Sequence, residues 1–140
     1  MPDGPFPRPA GLLRRLGAIA YDGLLVLALW LMTLTIAVVI HNGAVIGPTM
    51  SSLLFIELFA YFTYSWVRRG QTIGMLAWHL RLENDVSAPL RPGQALLRFV
   101  GAMLSFGTGG IGYLWMYLDP DRRTWPDILS RTHVVHLPQR

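Results

Sequence analysis

The chain has 140 residues, 52% of them hydrophobic and 14% charged, and a mean hydropathy of +0.38, whereas a soluble domain carries about a quarter charged residues. Its 12 basic residues are all arginine, against 8 acidic ones and a net charge of +4, and with no cysteine it has no disulfide framework, thiol nucleophile or zinc–thiolate site. The arginines border apolar runs rather than interleaving with aromatic residues on a polar face, so the basic balance points to anionic lipid headgroups and away from nucleic acid.

Residues 1–10 (MPDGPFPRPA) hold four of the ten prolines and read as a flexible cytosolic tail. From Leu16 to Ile40 Asp22 is the only charge, and Gly23 to Ile40 alone makes about 27 Å of helix, close to the hydrocarbon thickness. This is the first membrane helix. A signal peptide is the competing reading, but the apolar run is too long, Asp22 interrupts it and no small-x-small site follows.

A short loop without formal charge, His41 to Pro48, leads to a second apolar run from Met50 to Val67, broken only by Glu57. Tyr61, Tyr64 and Trp66 are expected as an aromatic belt at its end, where Arg68 and Arg69 stop it. With Arg14 and Arg15, these arginines put both ends of the helix pair in the cytosol. Gln71 to Leu80 has helical spacing but is too short to span, so it is expected to lie in the interface. His79 to Glu83 then alternates like a strand, Asn84-Asp85 signals a turn, and Thr132 to Leu137 is its evident partner in a small cytosolic ribbon.

The third apolar run, Ala95 to Leu118, contains the breaker cluster FGTGGIG. A single span would carry Arg122, Arg123 and Arg131 to the far side, against the positive-inside rule, whereas two half-helices meeting at Gly107 to Gly112 would return the chain. Both arrangements stay open. The expected fold class is an all-α integral membrane protein, a small multi-pass helical bundle of three to four membrane segments with an interfacial helix and a short ribbon.

Four stretches now stand in order: RRLGAIAYD, RRGQTIGM, QALLRFV and DPDRRTWPDILSRTHVV. In sequence and spacing they resemble the RDD family of small integral membrane proteins, over nearly everything from Ala10 to Leu137. Carried over by residue, the resemblance implies Arg15 as the family arginine, Asp22 and Asp127 as its two aspartates, Thr132 closing D-x4-T, Gly70, Gln71, Thr72 and Gly74 as the GQTxG motif, and Arg98 as the arginine heading the last apolar region. Pro126 stands where the family more often has histidine or glycine, and Met75 where a basic residue is common. The resemblance further implies a bacterial inner-membrane protein with a cytosolic N-terminus, and some members are thought to exchange sodium or other monovalent cations for protons.

Arg15 and Asp22 share a helix face but lie about 10 Å apart along the axis, so each needs another partner. Asp22 is expected either to be neutralised by Arg98 or Arg15 or to carry a proton as a cation comes and goes. Glu57 lies about 15 Å from the cytosolic end of the second helix, with Thr33 at similar depth and Tyr61 one turn on. Asp22, Glu57, Thr33 and Tyr61 are therefore the candidate ion or proton pathway, with Glu57 bonded to another helix or subunit as the structural alternative. Asp119, Asp121 and Asp127 with Arg122 and Arg123 are expected either as a mutual salt-bridge cluster at the headgroup level or as a clamp on the RRGQT turn, Asp127 is also a candidate cap of its own helix, and Gln71 to Gly74 are expected to offer donors to a lipid phosphate or to Asp127. The four histidines fit no metal spacing, the glycine cluster is not a phosphate loop, and no serine has a base, so no metal, cofactor or enzymatic role is expected. The expected partners are the bilayer and a second copy or another membrane protein. Two functions follow, a cation/proton exchanger or a non-transporting module that recruits a partner through its cytosolic face.

Overall fold

The computed structural model describes residues 8–84 and 90–137. Helix α1, Leu12–His41, and helix α2, Pro48–Arg69, are each long and apolar enough to cross a membrane. Asn42 ends α1 in the left-handed conformation, and Pro48 opens α2 at a position where its missing N–H costs nothing. Large apolar side chains along both helices, among them Leu24, Leu31, Val39, Phe55 and Ile56, are exposed, as the wall of a lipid-embedded hairpin must be.

After α2, Gly70 turns the chain at φ 68°, and its carbonyl accepts a 2.7 Å bond from the Leu82 amide. The expected interfacial helix is only one turn long, α3 at Ile73–Ala77, and it is packed against α1 rather than lying by itself. Gly74 makes that contact possible: a Cβ there would fall 2.8 Å from the Asp22 carboxyl carbon and closer still to the Ala18 carbonyl.

The sheet has three antiparallel strands in the order β1-β3-β2, namely Arg8–Pro9, Thr132–His136 and Leu80–Asn84. Leu80 faces His136 and Asn84 faces Thr132 across the central pair. The first strand corrects the expected ten-residue tail: Arg8 pairs with His136, and the buried Ala10 donates its amide to the Val134 carbonyl at 3.0 Å. Proline is tolerated there because β1 is an edge. Residues 1–7 of that tail and Asp85 of the expected turn lie outside the described residues.

Helix α4, Pro92–Gly107, and helix α5, Ile111–Leu114, meet at an angle of 108° across the glycine break, and a 3₁₀ turn at Trp115–Tyr117 continues α5. A third crossing would require this bent pair to act as one span. Helix α6, Trp125–Ser130, packs extensively on α4, and a Cβ on Gly101 would sit 2.7 Å from the Pro126 Cα.

The apolar core lies where these short elements meet. It gathers Ala10, Ala18, Trp66, Met75, Leu80, Phe99 and Val134 from six different elements and their flanks. The molecule is thus a densely packed layer at one end with a helical hairpin projecting from it, α4 packing on part of α2 through Phe99 against Phe55 and Phe59.

Candidate functional site

Within the packed layer, two buried carboxylates organise two separate networks. Asp127 is the first. Its Oδ2 accepts from Arg15 Nη1 at 2.7 Å and its Oδ1 from Arg98 Nη1 at 2.6 Å, with all three side chains buried. The same Oδ2 accepts the Thr124 amide at 3.1 Å, closing the first turn of α6.

Each arginine reaches further. Arg15 Nε donates to the Ala10 carbonyl at 3.1 Å, tying the end of β1 to α1. Arg98 Nη1 also donates to the Thr132 hydroxyl at 3.2 Å, and its guanidinium carbon lies 5.4 Å from the centre of the Trp66 ring, a cation–π distance. Because the Ser130 hydroxyl donates to the Pro126 carbonyl at 2.6 Å, Thr132 is the donor in the 2.6 Å contact between the two hydroxyls. Burial pushes the Asp127 carboxyl up, but the adjacent charges of Arg98 and Arg15 and the hydrogen bonds from both outweigh it and hold the group below the usual carboxylate value.

Asp22 is the second centre, and its partners are all uncharged. Oδ1 accepts from the Tyr61 hydroxyl at 2.7 Å and from the Gly74 amide at 2.8 Å, and Oδ2 accepts from the Thr72 hydroxyl. Thr72 Oγ1 in turn accepts the Met75 amide at 3.1 Å and so caps α3. The expected neutralisation of Asp22 by Arg98 or Arg15 is corrected here. Both arginines are committed to Asp127, and among the described residues Asp22 has no ion-pair partner. The donors of the GQTxG stretch likewise face Asp22 rather than Asp127.

The third group lies far along the hairpin. Thr33 Oγ1 donates to Glu57 Oε1 at 2.7 Å, while Glu57 Oε2 is buried without a partner, and Trp30 Nε1 donates to the Leu54 carbonyl at 3.0 Å one turn away. Thr33 is eleven residues, about 16 Å, beyond Asp22 on α1. The four candidate pathway residues therefore split into two pairs, Asp22 with Tyr61 and Thr33 with Glu57.

Three sequence expectations change further. Tyr61 and Trp66 turn inward to Asp22 and Arg98, leaving only Tyr64, 60% exposed, of the expected aromatic belt. Gln71 makes no side-chain bond through Oε1, whereas its neighbours Gly70 and Thr72 hold the turn. The acidic cluster near the end divides: Arg123 binds the largely buried Asp119 at 2.9 Å and the exposed Asp121 at 3.7 Å, while Asp127 pairs with Arg15 and Arg98. Sequence reasoning missed Trp66 and Ser130 as members of the arginine network. Their spacing, Trp66 just before Arg68-Arg69 and Ser130 two residues before Thr132, carries no chemistry of its own.

A family model for the RDD family matches residues 9–131, a span that holds the arginine–aspartate network and the GQTxG clamp. The chain belongs to the RDD family. The match runs from Pro9 through α6 and stops one residue before Thr132, so both carboxylate networks of the layer fall within it apart from that hydroxyl. Among curated proteins and solved structures, nothing matches the chain.

A cavity of about 340 Å³ adjoins both networks. Arg15, Asp22, Thr72 and Arg98 line one part of it, and Phe62, Phe99, Met103 and Phe106 line the remainder with other apolar residues. The described residues include no cluster of three or more histidine, aspartate or glutamate side chains that could hold a metal ion.

Proposed function

We propose that this RDD protein is a non-transporting, non-enzymatic membrane module whose motif residues build a rigid platform at the cytosolic face of a bacterial inner membrane. The observation that carries this reading is the donor saturation of both motif carboxylates. Asp127 is held by two guanidinium groups and an amide, and Asp22 by two hydroxyls and an amide. A carboxylate that must exchange a cation for a proton needs a partner set that can open, and a buried ion pair shared by three elements opens at a cost of several kcal/mol.

In this reading α1 and α2 cross the membrane and α4–α5 re-enters without crossing, which keeps Arg15, Arg98 and Asp127 together on the N-terminal side. Arg14, Arg68 and Arg69 support a cytosolic assignment for that side. The platform, presenting β2 and α6, would receive a second copy or another membrane protein. Because the chain has no cysteine, single cysteines placed at Gly43 and Asp121 report the topology directly. They label from opposite sides of the membrane if α4–α5 re-enters, and from the same side if it crosses.

One observation favours the exchanger as a second reading. Glu57 shares one oxygen with Thr33 between the two membrane helices and has a second oxygen without a partner. Sodium- and potassium-driven proton flux in proteoliposomes separates the two. No flux from well-folded protein supports the module; flux that Glu57→Gln abolishes with the fold intact replaces it with an exchanger whose carrier is Glu57.

A further inference from the structure

Tyr113 of α5 lines the 340 Å³ cavity, is 8% exposed, and meets the Phe106 ring edge-on at 5.4 Å. Its hydroxyl feels the charges of Arg98, Asp127 and Arg15, yet among the described residues it has no hydrogen-bond partner. Arg15 and Arg98 line the same cavity. Arg15 bonds through Nε and Nη1 and Arg98 through Nη1, which leaves the Nη2 group of each without an acceptor among the described residues. The acceptors beside them are taken, the Asp127 oxygens by both arginines and the Thr124 amide, and the Asp22 oxygens by Tyr61, Thr72 and Gly74. This end of the cavity is therefore rich in free donors and poor in free acceptors. It is also formally neutral, with two guanidinium groups beside two carboxylates.

The other end is aromatic and apolar. Phe62, Phe99, Met103 and Phe106 line it, and Met103 at 50% and Phe106 at 57% exposure form its opening. Phe106 lies eight residues, about 12 Å, along α4 from Arg98. With α4 in the bilayer the medium outside that opening is hydrocarbon, so an ionic headgroup enters only at the cost of its hydration. Water satisfies the donors at the polar end but finds no partners along the phenyl rings. The volume exceeds the roughly 150 Å³ that holds one benzene and stands at the low end of the about 300–1,000 Å³ of small-molecule sites, which leaves room for one substituted ring and the start of a chain.

A ligand for this space presents neutral acceptor oxygens to the donors, a flat face to the phenyl rings and a hydrocarbon tail to the opening. We propose that the cavity binds the head of a membrane-dissolved isoprenoid quinone, a ring carbonyl accepting from the Tyr113 hydroxyl and the tail leaving past Met103 and Phe106 into the bilayer. The inference goes beyond the platform reading and uses only its placement of α4 and α5 within the membrane.

Native mass spectrometry of the full chain, released from micelles loaded with decylubiquinone, tests it. One quinone per chain is expected. Phenyldecane, which has a ring and the same tail length but no oxygen, should be retained about tenfold less. Tyr113→Phe should weaken quinone retention about tenfold, and because the hydroxyl has no partner in the fold, the melting temperature without ligand should not move. Ala102→Trp should fill the cavity and abolish retention in protein that elutes as wild type, and Met103→Trp at the opening replaces it if that variant misfolds. Phenyldecane held as well as the quinone, Tyr113→Phe binding as wild type, or retention that survives the filled cavity overturns the proposal. Diolein, whose ester carbonyls offer the same acceptor without the ring, overturns it by displacing the quinone at equal concentration, and assigns the site to a diacylglycerol.

Discussion

Asp127 and Asp22 are buried to nearly the same extent, at 1% and 2% exposure, and both help to close the packed layer, yet they are stabilised by opposite chemistry. Asp127 has counter-charge in excess, one carboxylate between two guanidinium groups, and the surplus is spread over the Trp66 ring. Asp22 has no counter-ion among the described residues and relies on neutral donors from α2, from the α2–α3 turn and from α3 itself. The difference teaches what each does for the fold. The Asp127 network joins segments far apart in sequence by charge, whereas Asp22 orients a short turn by hydrogen-bond geometry.

The largest test of this contrast is Asp127→Asn, which leaves Arg15 and Arg98 buried without their carboxylate. Breaking a buried pair in this way costs about 3–5 kcal/mol, so the variant should melt far below wild type, or fail to purify, when unfolding is followed by tryptophan fluorescence in micelles. Acid should reach the same end by degrees. Because the folded-state pKa of Asp127 is held below its ordinary 3.8, its stabilisation is complete above that value and is lost as the pH falls through the lower folded value. A melting temperature that declined only above pH 5 would contradict this assignment.

Asp22→Asn should cost less, about 2 kcal/mol, because it weakens charge-assisted hydrogen bonds without stranding a charge. If it cost as much as Asp127→Asn, the distinction between charge and geometry would fail. Gly74→Ala sharpens the comparison from the other side, keeping the carboxylate but pushing α3 off α1. Overpacking of this kind costs about 1–3 kcal/mol, and it should lower the melting temperature in proportion. Smallest is Glu57→Gln, expected to change stability by less than about 1 kcal/mol, since the amide oxygen can still accept from Thr33 and the site lies outside both networks. A large loss there would show that the hairpin, not the layer, holds the molecule together.

The two long helices were legible because a continuous apolar run with arginine at its ends has few alternatives. The break after Gly107 was legible for a similar reason, as four glycines in six residues interrupt any helix. What the sequence left open was pairing. Several carboxylates and more arginines lie near one boundary, and spacing within a helix says nothing of which distant charge arrives opposite. Asp22 was assigned an arginine because hydroxyls and a backbone amide leave no mark in a pattern of charges. Tyr61 and Trp66 were placed in an aromatic belt because an aromatic residue near a helix end has the same spacing whether it faces headgroups or covers a buried guanidinium. Arg8–Pro9 went unread as a strand because two residues bounded by proline carry no alternation.

The Arg15–Asp127 bond joins residues 112 positions apart. At about 5–20 residues per second, a ribosome that has just made Arg15 needs roughly 6–22 s to deliver its carboxylate. Through that interval the Arg15 guanidinium has no Asp127 to pair with, and only the arrival of α6 supplies the carboxylate. A chain stalled or cleaved before Asp127 would leave that cation, and Arg98 with it, permanently without that carboxylate.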